Sequence, residues 1–125
     1  MTKYLRPGAT FGLILILGIA VASAQSPALD PVNVAPHIFA TVLENDRVRV
    51  IKVTERPGET PPLHSHSDRV LVYLSPCAWL EETADGQKGM QSFRLGDVQW
   101  ALADTHGGKT SKVVQECSLL EIELK

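Results

Sequence analysis

From Phe39 onward the apolar residues recur at every second position, in short runs bounded by Gly, Pro, Asn and Asp. That rhythm is the period of a β-strand with one face buried, and it predicts an all-β chain. Phe39 to Leu43 reads as a first strand, Glu44-Asn45-Asp46 as a turn, and Arg47 to Thr54 (RVRVIKVT) as a second strand with Val48 and Val50 on one face. After the turn at Arg56 to Glu59 come a short strand at Pro62 to Ser67 and a run apolar on both faces, Arg69 to Ser75 (RVLVYLS), which predicts a central strand. Pro76 interrupts, Cys77 to Thr83 resumes, and Asp85-Gly86 is a hairpin signal before Met90 to Leu95. Past Gly96-Asp97, the alternation places Val98, Trp100 and Leu102 inward. The pair Gly107-Gly108 loops out, Lys112 to Gln115 follows, and the last strand is Cys117 to Lys125. Its Leu120, Ile122 and Leu124 share the apolar face, which leaves Glu121 and Glu123 for solvent. Three prolines, at 27, 31 and 36, predict an extended, loosely packed lead-in over residues 25–36, because proline lacks the N–H and restricts its predecessor.

The N-terminus breaks the pattern. Lys3 and Arg6 precede an unbroken apolar run, Phe11 to Val21, too short for the ~20 residues that a spanning helix needs. Ala22-Ser23-Ala24 follows with the small-x-small spacing of a signal-peptidase site, so residues 1–24 read as an export signal cleaved before Gln25; an uncleaved anchor is the alternative. The expected organisation is a signal at 1–24, a lead-in and first strand at 25–44, and one domain at 45–125, exported to a periplasmic or extracellular space with no stable membrane anchor after cleavage.

Composition adds exclusions. With 12 Lys and Arg against 14 Asp and Glu the net charge is −2, and removing 1–24 strips two cations and no acid. There is no basic surplus to meet a phosphate backbone, so no nucleic-acid partner is expected. In an oxidising compartment Cys77 and Cys117 become disulfide candidates, with two buried thiols as the alternative. Neither Cys neighbours a His in sequence and no Ser-His-Asp order stands out, which argues against nucleophilic catalysis. Trp79 and Trp100 read as core, Tyr73 as buried with its hydroxyl bonded, His37 as a surface residue, and Asp97 and Asp104 as turn residues. Arg47 and Arg49 read as partners of surface carboxylates such as Asp46 and Glu121.

Candidate chemistry lies in the other three histidines. His64 and His66 are two apart on an expected strand, so both imidazoles point to one face, and His106 lies beyond a strand that a closed sheet could bring alongside. Gly58, His64-Ser65-His66, and Gly96 with His106 together resemble the two-part motif of the cupins. The resemblance runs from about Asn45 to Lys125 and includes Arg47 to Val50, Pro57 to Glu59 and Glu123 to Lys125. It implies a single-domain jelly-roll β-sandwich bent into a small barrel, with a divalent metal in its mouth. The family's Glu ligand would fall at Val70 or Leu71 and is absent, Thr110 replaces a usual Asn, and Asp68 comes early for a substitute. What remains is a neutral set, His64, His66 and His106, similar to the thiol dioxygenase branch of the cupins. Zinc, iron, nickel and copper suit it, and manganese less so without the Glu.

In the jelly roll that the resemblance implies, the final strand lies antiparallel beside Arg69 to Ser75, which would bring Cys77 to Cys117. The resemblance also implies a homodimer. It leaves three functional readings open: a metal-binding protein without assigned activity, a metal-dependent dioxygenase or related enzyme on a small substrate, and a small-ligand module with a vestigial site. No catalytic residue is assigned, since no general base accompanies the histidines. Three ordinary imidazoles would lose metal to protons between about pH 7 and pH 5.

Overall fold

The computed structural model describes residues 27–125 except Ala84; the expected signal at 1–24 and its junction with Gln25 lie outside the described residues. The chain runs through a helical turn α1 (Pro31–Val34), then β1 (Phe39–Glu44), β2 (Val48–Glu55), β3 (His64–His66), β4 (Arg69–Tyr73), β5 (Cys77–Glu82), β6 (Lys88–Phe93), β7 (Val98–Ala101), β8 (Asp104–His106), β9 (Ser111–Gln115) and β10 (Cys117–Leu124). Every strand pair is antiparallel. A five-stranded sheet has the order β1-β2-β10-β4-β7, a three-stranded sheet the order β6-β5-β9, and β3 pairs with β8 alone. This is the all-β architecture expected, with β4 flanked on both sides as its two apolar faces require. Among the described residues no helix is long and apolar enough to cross a membrane.

The core lies between the sheets, where Ile51, Val53, Phe39, Tyr73 and Leu119 are all under 5% exposed. Cys77 opens β5 and Cys117 opens β10, and the two are bonded with their Cα atoms 4.6 Å apart. The bridge therefore fastens the three-stranded sheet to the five-stranded one.

Three expectations are corrected. The lead-in is neither extended nor loose: Pro31 sits in the first helical turn, where a missing N–H costs nothing, Asp30 caps Val32 N at 3.0 Å, and Pro31 and Ala35 are buried. On β7 the alternation holds but its phase is reversed. Val98, Trp100 and Leu102 are 63%, 54% and 69% exposed, so Trp100 is not core. On β10 the inward face is Cys117, Leu119, Glu121 and Glu123, and the outward face carries Leu120, Ile122 and Leu124.

Register explains both reversals. Glu121 lies opposite Ile51 and Leu71, whereas Ile122 lies opposite Val50 and Val70, and Val70 opposite Trp100. Opposed residues share a face, so Trp100, Val70, Ile122, Val50 and Leu43 form an apolar row across the outside of all five strands. The two glutamates turn inward because arginines and a histidine from other strands meet them there.

Candidate metal centre

The β3–β8 pair builds the site. His64 is directly opposite His106, and His66 follows His64 by one strand repeat, so the three imidazoles project from one face. Their ring centroids are 4.8 Å (His64 to His66), 4.5 Å (His64 to His106) and 5.2 Å (His66 to His106) apart. One ligand atom from each lies within 4.8 Å of the others, so the three could hold a metal ion. Two small residues lock the ribbon from behind, with Ser65 Oγ 2.8 Å from Thr105 Oγ1. Gly107 follows at φ +90°, where a Cβ would come within 2.6 Å of the Pro62 carbonyl oxygen. Only glycine lets β8 leave so close to the Pro61-Pro62 backbone.

Each imidazole is oriented through Nδ1. His64 Nδ1 is 2.6 Å from the Pro62 carbonyl oxygen, His66 Nδ1 is 2.7 Å from Glu123 Oε1 and 3.1 Å from Glu121 Oε2, and His106 Nδ1 is 2.9 Å from Asp104 Oδ2. Carbonyl and carboxylate oxygens accept, so these contacts put the proton on Nδ1 and the lone pair on Nε2 in all three rings. His66 Nε2 is buried with no hydrogen-bond partner among the described residues. A buried acceptor left bare costs free energy, and a cation is the partner that three converging lone pairs fit. Burial above all lowers His64, to about 4, and lowers His66 further, so both stay neutral as a metal ligand must.

Around the ligands is a shell of charge that the alternation pattern had assigned to solvent. Glu123 accepts from His66 on one oxygen and from Arg49 Nε, at 2.8 Å, on the other; Arg49 in turn pairs with Asp30, the cap of α1. Arg69, 3% exposed, donates to Asp104 Oδ1 at 2.8 Å and approaches Glu121 at 3.7 Å. Asp104 is thus not a turn residue but a bridge between Arg69 and His106. Burial disfavours its charge, but the hydrogen bond from Arg69 and the neighbouring His106 hold its carboxyl below the ordinary range. Arg49 meets Asp30 and Glu123, and Glu121 meets Arg69 and His66, in place of the surface pairs expected. Burial pushes Glu121 up to about 8.

The remaining candidates fall away from the centre. His37 is exposed. Asp68 accepts the Ala103 N–H at 2.7 Å and is not one of the converging ligands. Of the two positions where a fourth, acidic ligand would fall, Val70 faces outward and Leu71 lines the cavity, so the set stays neutral.

His64 and His106 open onto a cavity of about 300 Å³ between the sheets. Tyr73 and Phe93 stack at 4.5 Å on its wall, Trp79 meets Phe93 at 5.8 Å, and Trp79 Nε1 donates to Glu55 at 2.7 Å. Tyr73 is buried with its hydroxyl donating to Gln99, as read from the sequence. Glu55 was not singled out. Its signal was a charged residue closing a strand in phase with Ile51 and Val53, the buried positions of β2.

No family model and no curated protein matches the chain. Solved structures do. A cupin domain from Bordetella pertussis Tohama I superposes with a TM-score of 0.54 and 26% identity, covering 70% of this chain and 92% of that one. A conserved protein with a double-stranded β-helix domain from Klebsiella pneumoniae subsp. pneumoniae MGH 78578 gives a TM-score of 0.51 at 15% identity, covering 70% of this chain and 75% of that one. With its antiparallel sheets folded over one cavity, the chain has the jelly-roll fold of the cupin superfamily.

Proposed function

We propose that the protein binds one divalent metal ion through Nε2 of His64, His66 and His106 and offers that ion to a small molecule in the adjoining cavity. The observation that carries this reading is the orientation of the rings. All three Nδ1 atoms are engaged by acceptors, and the buried His66 Nε2 has no hydrogen-bond partner among the described residues. Zinc, iron, nickel and copper suit three imidazoles, and a bound ion would supply Lewis-acid polarisation with coordination positions left open. The protein's own part is to hold three neutral rings in register, to keep Arg69 beside them as a fixed positive charge, and to shield the ion behind aromatic walls.

A catalytic role is the second reading, favoured by two carboxyls on the cavity wall, Glu55 and Glu121, which burial keeps protonatable near neutral pH. Export is the accompanying reading for residues 1–24, and a buried disulfide suits an oxidising compartment. Intact mass of the secreted protein should start at Gln25.

The test of the metal site is elemental analysis of purified protein, followed by zinc titration of the metal-free form. Replacing His64, His66 or His106 by Ala should remove most of the binding, and His37→Ala should leave it intact. Equal affinity in His64→Ala and wild type would place the metal elsewhere.

A further inference from the structure

The cavity wall carries a second set of polar groups, on β2 and β5 rather than on the histidine ribbon. Glu55 closes β2, is 5% exposed, and receives one hydrogen bond, from Trp79 Nε1. Among the described residues no Lys, Arg or His forms an ion pair with it. Arg69, the guanidinium on the same cavity wall, is committed to Asp104 and to the Leu102 carbonyl. A second carboxylate, Glu81, lines the same cavity and is held by Ser111 at 3.2 Å. Beside these acids stand Tyr73, Trp79 and Phe93, with centroids 4.5 to 6.2 Å apart.

A carboxylate buried without a counter-charge is costly, and it is relieved either by a proton or by a cation brought from outside. Burial pushes the Glu55 carboxyl up to about 7, the Trp79 N–H pulls it back, and Glu59 and Glu81 add to the rise. The burial of Glu55 and the absence of a cationic partner among the described residues are what a ligand's charge would relieve. Candidate ligands then separate on physical grounds. An anion beside Glu55 and Glu81 would meet two carboxylates. A purely apolar molecule would fill the space but leave Glu55 uncompensated. A protonated amine donates N–H to the carboxylate while the aromatic faces favour its charge. The volume of about 300 Å³ limits it to a small one.

We propose that the Glu55–Trp79 end of the cavity is an ammonium-binding subsite, so that the ligand of this protein is a small primary amine whose other end faces His64 and His106. The assignment names the ligand class of the cavity already described. It rests on the metal reading only for what lies at the far end, since the subsite itself needs no metal.

The experiment is calorimetric titration with benzylamine, benzyl alcohol and benzoate at pH 8, on the protein as purified and again after metal removal. Wild type should bind benzylamine at least about tenfold more tightly than benzyl alcohol, the scale of one charge-assisted hydrogen bond, and benzoate weakest when metal is absent. Glu55→Gln, which keeps an acceptor for Trp79, should lose that tenfold for benzylamine and change benzyl alcohol by less than about twofold. Should Glu55→Gln not fold, the wild-type ranking of the three compounds decides alone. Equal binding of amine and alcohol by the metal-free wild type would overturn the subsite. So would amine binding that survives Glu55→Gln and vanishes on metal removal; that outcome leaves the metal reading standing. Amine binding that depends on Glu55 in a protein that takes up no zinc would uphold the subsite and overturn the metal reading.

Discussion

Glu123→Gln is the sharpest probe of how the chain holds its candidate metal. Glu123 is 2% exposed and spans two tasks, orienting His66 through Oε1 at 2.7 Å and receiving Arg49 through Oε2 at 2.7 to 2.8 Å. The amide occupies the same volume and retains one acceptor oxygen, so it can serve His66 or Arg49 but not both with charge. Losing a carboxylate behind a metal-bound imidazole typically lowers affinity ~10- to 100-fold, about 1.4 to 2.7 kcal/mol. Arg49 keeps Asp30 as a partner, so the folding cost should stay near 1 to 3 kcal/mol rather than the ~3 to 5 expected when a buried charge is stripped bare. The two effects are separable: thermal melting of the metal-free proteins reads the folding cost, and competition for zinc against a chromogenic chelator reads affinity. Asp30→Asn, one contact further out, should weaken zinc by less than about threefold. Wild-type zinc affinity in Glu123→Gln, alongside its loss in His66→Ala, would refute the reasoning that the Nδ1 acceptor sets the ligand.

Four further outcomes are expected. His64 and His66 are lowered by burial and hold no proton between pH 7 and 5, so neither competes with a metal ion over that range. Zinc affinity should then fall far less than the ~10⁴-fold of three free imidazoles, and proton competition from His64 should set in only as pH falls towards about 4; chelator competition at pH 7, 6 and 5 checks this. Cys77→Ser with Cys117→Ser opens a bridge of sequence separation 40, costing about 4 kcal/mol by loop entropy and lowering the melting temperature by roughly 15 °C or more in scanning calorimetry. Gly107→Ala forces a Cβ against the Pro62 carbonyl at positive φ and should destabilise by about 3 kcal/mol in urea unfolding, with zinc affinity reduced because Pro62 holds His64. The outer face of the five-stranded sheet, which carries the apolar row, has a flat footprint of roughly 400 Å², about half of the ~800 Å² of accessible surface per partner of a standard interface, and protruding side chains such as Trp100 and Leu43 add to it. Sedimentation should therefore report a dimer that Val70→Asp converts to a folded monomer.

The strands were legible because alternation is local: β2, β4 and β5 announce themselves by period and by the turns at Gly58, Pro76 and Gly86. His64 and His66 were legible for the same reason, since a strand puts i and i+2 on one face. The direction of that face was not. On β10 the apolar residues Leu120 and Ile122 outvote Glu121 and Glu123 in any local count, yet the glutamates are the buried ones. What reverses the vote is non-local, namely Arg49 from β2, Arg69 from β4 and His66 from β3, none within fifty residues of the glutamates they meet. The helical turn at Pro31 was hidden by reading proline as a breaker, when the Asp30-Pro31 order is equally a cap followed by a first turn. Glu55 carried no motif at all and is distinguished only by the cavity it faces.

The bridge between Cys77 and Cys117 encloses β5 to β9 and thus His106, while His64 and His66 lie outside it. Two of the three imidazoles arrive together on one short strand, and the third arrives on the far side of a covalent ring. Closing that ring narrows the conformations open to the strand that carries His106 before it docks on the ribbon, so the disulfide and the three-His cluster share one loop.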